Sequence, residues 1–229
     1  MLPPAQSRHV TRVLRLRPGD AVTLFNGDGN EYSAEIARIG KDAATLSVTG
    51  SRAVDREAPL AVILAQAVSG GERMDYTVQK AVELGVAGIQ PLVSARSVVR
   101  LAGERAVKRL AHWQAVAIAA CEQCGRNRVP RVEPPLEFHA WLALTAKAQD
   151  GAAKLLLSPR ATDSLRGLAR PASGVIILLA GPEGGWIPEE ERAAEQTGFH
   201  PVRLGPRVLR TETAAVAALA ALQAVWGDF

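Results

Sequence analysis

From Leu60 to the end, apolar runs of strand length alternate with longer amphipathic stretches, and this alternation constrains the fold more than any other feature of the chain. LAVILAQAV (60–68), GIQPLV (88–93), KLLLS (154–158), GVIILLA (174–180) and PVRLG (201–205) read as strands. The largely apolar character of the first and fourth implies burial on both faces. Residues 72–84, 104–121, 136–148, the EEERAAEQTG stretch after Pro188, and 211–225 read as helices. Gly85 suits a C-cap and Pro188 a first helical position. Strands and helices in this order specify an α/β domain with a parallel sheet covered by helices on both faces.

Residues 21–50 follow a different period. AVTLFNG, EYSAEIARIG and AATLSVTG read as strands, separated by GDGN (27–30) and GKD (40–42), which carry hairpin chemistry. Short strands at this spacing predict a small antiparallel β-barrel. Ahead of it, Ser7 is placed to cap a helix running to Leu14. That helix would carry Arg8, Arg12 and Arg15 on one face and turn Val10, Val13 and Leu14 toward a core. RPGD (17–20) is a turn. SRAVDREAP (51–59) is polar and reaches a proline, so it reads as a linker. The expected domains are residues 1–58 and 59–229, and a chain of 229 residues has room for two.

Charge is unevenly spread. The net charge is +4, yet residues 1–17 hold Arg8, Arg12, Arg15 and Arg17 with no acid, so the remainder is close to neutral. A purely cationic stretch suits phosphate contacts, while a solvated helix face is the plainer alternative. Aromatics are 4% of the chain, so the core is expected mainly from Ala, Val, Leu and Ile. MLPPAQSRH lacks the apolar region of a secretory signal, and GVIILLAG (174–181) is too short to span a bilayer. Two cysteines are too few for a disulfide scaffold. A cytoplasmic protein without membrane contact is expected.

Three segments carry possible chemistry. In GVIILLAGPEGGWIPEEE, an apolar strand runs into a glycine-rich turn and then an acidic helix start. Ligands of open α/β sheets bind at the carboxyl ends of strands, and Gly181, Gly184 and Gly185 would let backbone approach one closely. The turn matches neither phosphate-loop pattern, and Glu189, Glu190 and Glu191 would repel a phosphate, so a neutral or cationic ligand fits better. A purely structural turn is an equal reading on glycine content alone. LGPRVLRTETA (204–214) is a second Gly/Pro loop after a strand, with Thr211 placed to cap the last helix. CEQCGRNRVPRV (121–132) has one Cys pair and no second pair to complete a metal site, so Gln123, Arg126 and Arg128 read as polar contacts to a nucleotide. In the helix after Gly71, Glu72, Arg73, Asp75, Lys80 and Glu83 read as a salted face rather than a site. The four histidines show no triad or zinc spacing.

RHVTRVLRLRPGD (8–20), QKAVELGVAGIQPLVSARSV (79–98), EQCGRNRVPRV (122–132), LLAGPEGGW (178–186) and LGPRVLRTETA (204–214) together resemble the bacterial 16S ribosomal RNA uridine N3-methyltransferase family of the SPOUT superfamily. The resemblance covers nearly the whole chain. Trp186 departs from the pattern, where a smaller or different apolar residue is expected, and it need only pack. The resemblance implies a PUA-like, RNA-binding N-terminal barrel, a C-terminal domain with a deep trefoil knot, and a homodimer. It implies S-adenosylmethionine as cofactor, no metal, and 16S ribosomal RNA or the small subunit as partner. Carried onto this chain, the cofactor pocket comprises Leu179, Gly181, Pro182, Glu183, Gly184, Gly185, Leu204, Gly205, Val208, Leu209, Arg210 and Thr213.

Uracil N3 carries a proton and is a poor nucleophile until that proton leaves, so a base or a cation facing O2 and O4 must help. Arg126, Arg210, Glu122 and Glu212 are the expected catalytic residues, with an arginine stabilising the uracilate. Arg8, Arg12, Arg15, Arg17 and Arg128 are the expected RNA contacts. A methyltransferase of this fold acting on another RNA, a non-enzymatic RNA-binding protein, and a nucleotide-dependent oxidoreductase remain as alternatives. The last is disfavoured because the glycine-rich loop comes late and lacks the dinucleotide fingerprint.

Overall fold

The computed structural model describes residues 1–40, 43–97, 101–148 and 151–229. Lys41 and Asp42 of the expected GKD turn, and Val98 of the segment 79–98, lie outside the described residues. The chain divides into two compact units, Met1–Arg56 with Gly125–Arg128, and Glu57–Cys124 with Val129–Phe229.

The first unit opens on helix α1 (Pro4–Arg8), where the fixed φ of proline suits the first turn. It passes directly into a π-helical turn, His9–Val13. Ser7 is therefore not a cap. It is buried, its hydroxyl donates to the Leu2 carbonyl (3.1 Å), and its Oγ accepts the Ala44 amide (3.1 Å). The wider turn takes the following positions off α-helical spacing. Val10 is buried as expected, but Val13 and Leu14 are exposed. Arg15 lies beyond the helical turns at φ 56°, so Arg8, Arg12 and Arg15 do not form one helical face.

Strands β1 (Ala21–Leu24), β2 (Asn30–Ile39) and β3 (Ala44–Ala53) then form an antiparallel sheet in that order. The RPGD turn is closed by the Arg17 amide on the Asp20 carboxylate (2.7 Å). Val10, Ile36 and Ala44 make the core. β3 runs on to Ala53, so Ser51–Ala53 are strand rather than linker. Glu31 binds Arg52 and Arg56 at 2.6 Å each, and these two guanidiniums, Arg56 foremost, hold its carboxyl below the usual range. Arg56 also donates to the Gly125 carbonyl (2.8 Å), and the Asn127 side chain donates to that of Val54 (3.1 Å). Residues 125–128 thus pack with the N-terminal sheet.

The second unit is built on a parallel sheet in the order β10-β8-β9-β4-β5-β6, with β7 also beside β5. Its strands are β4 (Ala61–Ala67), β5 (Gly88–Val93), β6 (Arg131–Val132), β7 (Leu136–Glu137), β8 (Ala153–Leu157), β9 (Val175–Ala180) and β10 (His200–Val202). Its helices are α2 (Arg73–Glu83), α3 (Gly103–Cys124), α4 (Phe138–Ala148), α5 (Pro188–Gln196) and α6 (Thr211–Trp226). The α/β alternation read from the sequence is present. β6 and β7 were not expected, because two residues carry no periodic signal. They flank the side of β5 where Pro91 stands, a residue with no amide proton for a ladder, and there the Gln90 side chain donates to the Pro134 carbonyl (2.9 Å).

The core is built mainly from Ala, Val, Leu and Ile, as the composition suggested, with one aromatic cluster. Phe138, Trp141, Trp186 and Phe199 are all buried among Ala65, Leu92, Leu156, Ile177 and Leu179. Few aromatics exist, and the sheet has concentrated them on one cluster. Among the described residues, no helix is long and apolar enough to cross a membrane.

Candidate functional site

At the carboxyl ends of β8, β9 and β10 lies a cavity of about 550 Å³. Its walls are Leu157–Arg160 after β8, Gly181–Trp186 after β9, and the chain from Val202 into the first turn of α6, with Arg73 and Arg96 completing the rim. The position follows the rule for parallel sheets, and the volume suits a small-molecule site. The two glycine-bearing loops singled out in the sequence therefore meet at one place.

Each glycine there has its own reason. A β-carbon on Gly181 would stand 3.0 Å from the Trp186 indole nitrogen, and one on Gly184 would stand 3.2 Å from the Arg96 side chain. Neighbouring side chains of the protein thus also crowd Gly181 and Gly184, beside the cavity that both line. Gly205, at φ 87°, faces open space and is required by its backbone conformation.

The acids of the loops are largely spoken for. Glu183 accepts from the Gly70 amide (2.7 Å) and Arg73 (2.9 Å). Burial alone would raise its pKa, but the Gly70 amide, its own amide and Arg73 together hold it below the usual value. Glu190 is buried and accepts the amides of Ala95 (2.7 Å) and Ile187 (3.2 Å), which fixes the start of α5. Glu191 pairs with Arg160 and accepts the Ser158 hydroxyl (2.9 Å). Glu189 faces solvent beside Arg192. The triple acid therefore acts mainly as a brace, and only Glu191 lines the cavity.

Glu212 is different. Its Oε1 lies 4.0 Å from Arg73, while its Oε2 is buried and has no hydrogen-bond partner among the described residues. Arg73 thus stands between Glu183 of one loop and Glu212 of the other. The expected salted face is present at Lys80 and Glu83, which pair at 2.8 Å, and Arg73, ion-paired with Glu183, also lines the cavity. Its place one turn after a Gly-Gly strand end was the signal available. Arg96, which donates to the Gly184 carbonyl (2.7 Å), was also missed as a lining residue.

Of the carried-over cofactor positions, Gly181, Pro182, Glu183, Gly184, Gly185, Leu204, Gly205, Val208, Leu209 and Arg210 line the cavity. Leu179 and Thr213 do not. Leu179 is one of the strand side chains facing the core, and Thr213 is on an exposed side of α6. Thr211 is not a cap. The residue at the N-cap is Arg210, and the Thr211 hydroxyl instead donates to the Gly181 carbonyl (2.5 Å). Of the expected catalytic set, Arg210 and Glu212 line the cavity, and Glu122 and Arg126 do not. Glu122 is exposed on α3, and Arg126 is buried within Gly125–Arg128 of the first unit. Arg8, Arg12, Arg15, Arg17 and Arg128 are all exposed in that same unit. Cys121 and Cys124 form no disulfide, and the described residues hold no group of three or more metal-ligating side chains.

A small cofactor that carries both positive and negative groups fits these residues. Of the three glutamates in the lining, Glu183 and Glu191 are paired with Arg73 and Arg160, Glu212 keeps one buried carboxylate oxygen without a hydrogen-bond partner among the described residues, and Arg96, Arg203, Arg207 and Arg210 add positive charge. Comparison with known proteins supplies the class. Residues 56–223 match the model of the RNA methyltransferase domain, and residues 2–49 match that of the RNA methyltransferase PUA domain. The ribosomal RNA small subunit methyltransferase E of Buchnera aphidicola from Acyrthosiphon pisum is 34% identical over 98% of this chain and 87% of its own. That of Bacillus subtilis is 33% identical over 93% and 85%. Among solved structures, the Neisseria gonorrhoeae methyltransferase E bound to S-adenosylmethionine shares 44% identity over 100% of this chain and 92% of its own, with a TM-score of 0.91. A Legionella pneumophila methyltransferase in complex with the same cofactor shares 42% identity at the same coverage, with a TM-score of 0.94. The chain belongs to the ribosomal RNA small subunit methyltransferase E family of RNA methyltransferases.

Proposed function

We propose that this protein methylates N3 of a uridine in the 16S RNA of the small ribosomal subunit, with S-adenosylmethionine held between the 181–186 and 204–212 loops. The observation that carries this reading is the meeting of both loops at one cavity where Glu212 Oε2 is left buried and unpartnered. The cofactor supplies a methyl group on a sulfonium centre. Everything else falls to the chain: binding, alignment, and removal of the N3 proton.

Of the four expected catalytic residues, we assign the chemistry to Arg210 and Glu212, since both line the cavity. Glu212 Oε2 is an unfilled acceptor for the N3 proton. Arg210 has no ion pair among the described residues and is free to face the negative charge that develops on O2 and O4. With its proton taken by Glu212, N3 would be free to accept the methyl group that the cofactor would supply. Arg8, Arg12, Arg15 and Arg17 of the 1–58 domain, together with Arg128, supply phosphate contacts, and that domain serves RNA binding. The 59–229 domain carries the trefoil knot, the active form is a homodimer, and the reaction takes place in the cytoplasm where ribosomes assemble.

The test is methylation of 16S RNA, or of small subunits, from a strain lacking the enzyme, followed by nucleoside digestion and mass spectrometry. N3-methyluridine at a single position is expected. A product methylated on ribose or on another base would overturn the assignment.

A further inference from the structure

Gln66 is the last-but-one residue of β4, in the middle of the parallel sheet, and is fully buried. A buried amide must find partners, and those it finds are unusual for a sheet residue. Its Nε2 lies 3.3 Å from the Gly181 carbonyl, 3.1 Å from the Thr211 hydroxyl and 3.0 Å from the Ala67 carbonyl. Gly181 is the first residue after β9, and Thr211 is the first residue of α6. The Thr211 hydroxyl in turn donates to the Gly181 carbonyl, closing a triangle. One side chain from a third element thus ties the root of the first cavity loop to the end of the second.

We infer that Gln66 is a positioning residue for the methyl-transfer site, setting through Gly181 and Thr211 the gap between the two loops that receives the cofactor. Its side chain does not line the cavity, so it acts through these two and not on the ligand. Two features favour positioning over simple stability. An apolar residue of equal length would pack in a sheet centre without leaving Gln66 Oε1 buried and unpartnered, as it now is. The bonds also run sideways to both loops rather than into the core. The inference rests on the cavity being the S-adenosylmethionine site.

The test measures S-adenosylmethionine affinity by calorimetry, and melting temperature, on the full chain. Gln66→Met keeps the length and removes both ties. Thr211→Val keeps the shape and removes one corner, and Thr211→Ser restores the hydroxyl. Gln66→Met and Thr211→Val are each expected to raise Kd about tenfold, with Thr211→Ser near wild type. The double variant is expected to fall short of the product of the single effects, because both act on the same carbonyl. A lowered melting temperature with unchanged Kd in both single variants overturns the inference. If Gln66→Met does not fold, Thr211→Val against Thr211→Ser decides it alone. Absence of binding by the wild-type chain is a distinct result and overturns the cofactor reading beneath it.

Discussion

The Trp186 indole lies back over Gly181, its nitrogen 3.0 Å from where a β-carbon on that glycine would stand. The indole is buried against Phe138, with ring centroids 5.1 Å apart, and cannot retreat without disturbing the aromatic cluster. Gly181→Ala is therefore expected to destabilise the protein by about 1–3 kcal/mol through overpacking. The same change should weaken S-adenosylmethionine binding, because the shift falls on the loop that lines the cavity. Denaturant unfolding and calorimetry read the two effects. A variant with wild-type values in both would show that the indole yields freely.

Glu183 supplies a pH dependence. Its folded pKa is depressed below the ordinary 4.5, so its bonds to Gly70 and Arg73 stabilise the loop fully above that value. They are lost as pH falls through the folded pKa. Wild-type cofactor affinity should thus decline toward the acid side below about pH 4.5, and Glu183→Gln should remove that part of the decline. At pH 7 the substitution is expected to cost about 0.2–1 kcal/mol of stability, the range of a partly exposed pair. Titration of stability at several pH values, wild type against variant, checks the sign.

Arg210→Ala and Glu212→Gln test the proposed chemistry. Loss of a group that takes a proton is expected to lower kcat by about 10²- to 10⁴-fold. Full turnover in both variants would return the search to Arg126 and Glu122.

RNA affinity should report two separate basic surfaces. Arg8, Arg12 and Arg17 are exposed in the first unit, and Arg203 and Arg207 stand exposed at the cavity rim with no ion pair among the described residues. Replacing Arg203 and Arg207 by Gln should flatten the salt dependence of RNA binding by about 0.7 in log–log slope for each phosphate no longer neutralised. Cofactor affinity should stay as it was if these side chains face RNA. Filter binding across a salt series gives the slope, and an unaltered slope removes the rim from the RNA surface.

The sequence announced most of this architecture through periodicity. Every long strand and helix of the second unit falls within a few residues of its apolar pattern, since packing of one face is what that pattern encodes. What it hid has physical causes too. The π turn at His9–Val13 depends on backbone hydrogen bonds that no side-chain period records, so the fate of Val13, Leu14 and Arg15 could not be read. The two loops were legible as motifs, but their meeting depends on strand order, with β8 between β9 and β10. Gln66 is the one polar residue of an otherwise apolar strand and gives no signal of its own, and Arg73 reads as one charge of a salted helix face. Both gained their significance from partners more than a hundred residues away.

The bond from Arg56 to Gly125, across 69 positions of chain, bears on how the protein is made. The first unit is not finished by its own first 56 residues, because it takes in Gly125–Arg128. On the translating ribosome, that piece emerges only after β4, α2, β5 and α3 have been synthesised. The first unit is therefore completed only after Glu57–Cys124 of the second have been made. A fragment ending at Arg56 would lack Gly125–Arg128 and the bonds that segment makes to Arg56 and Val54.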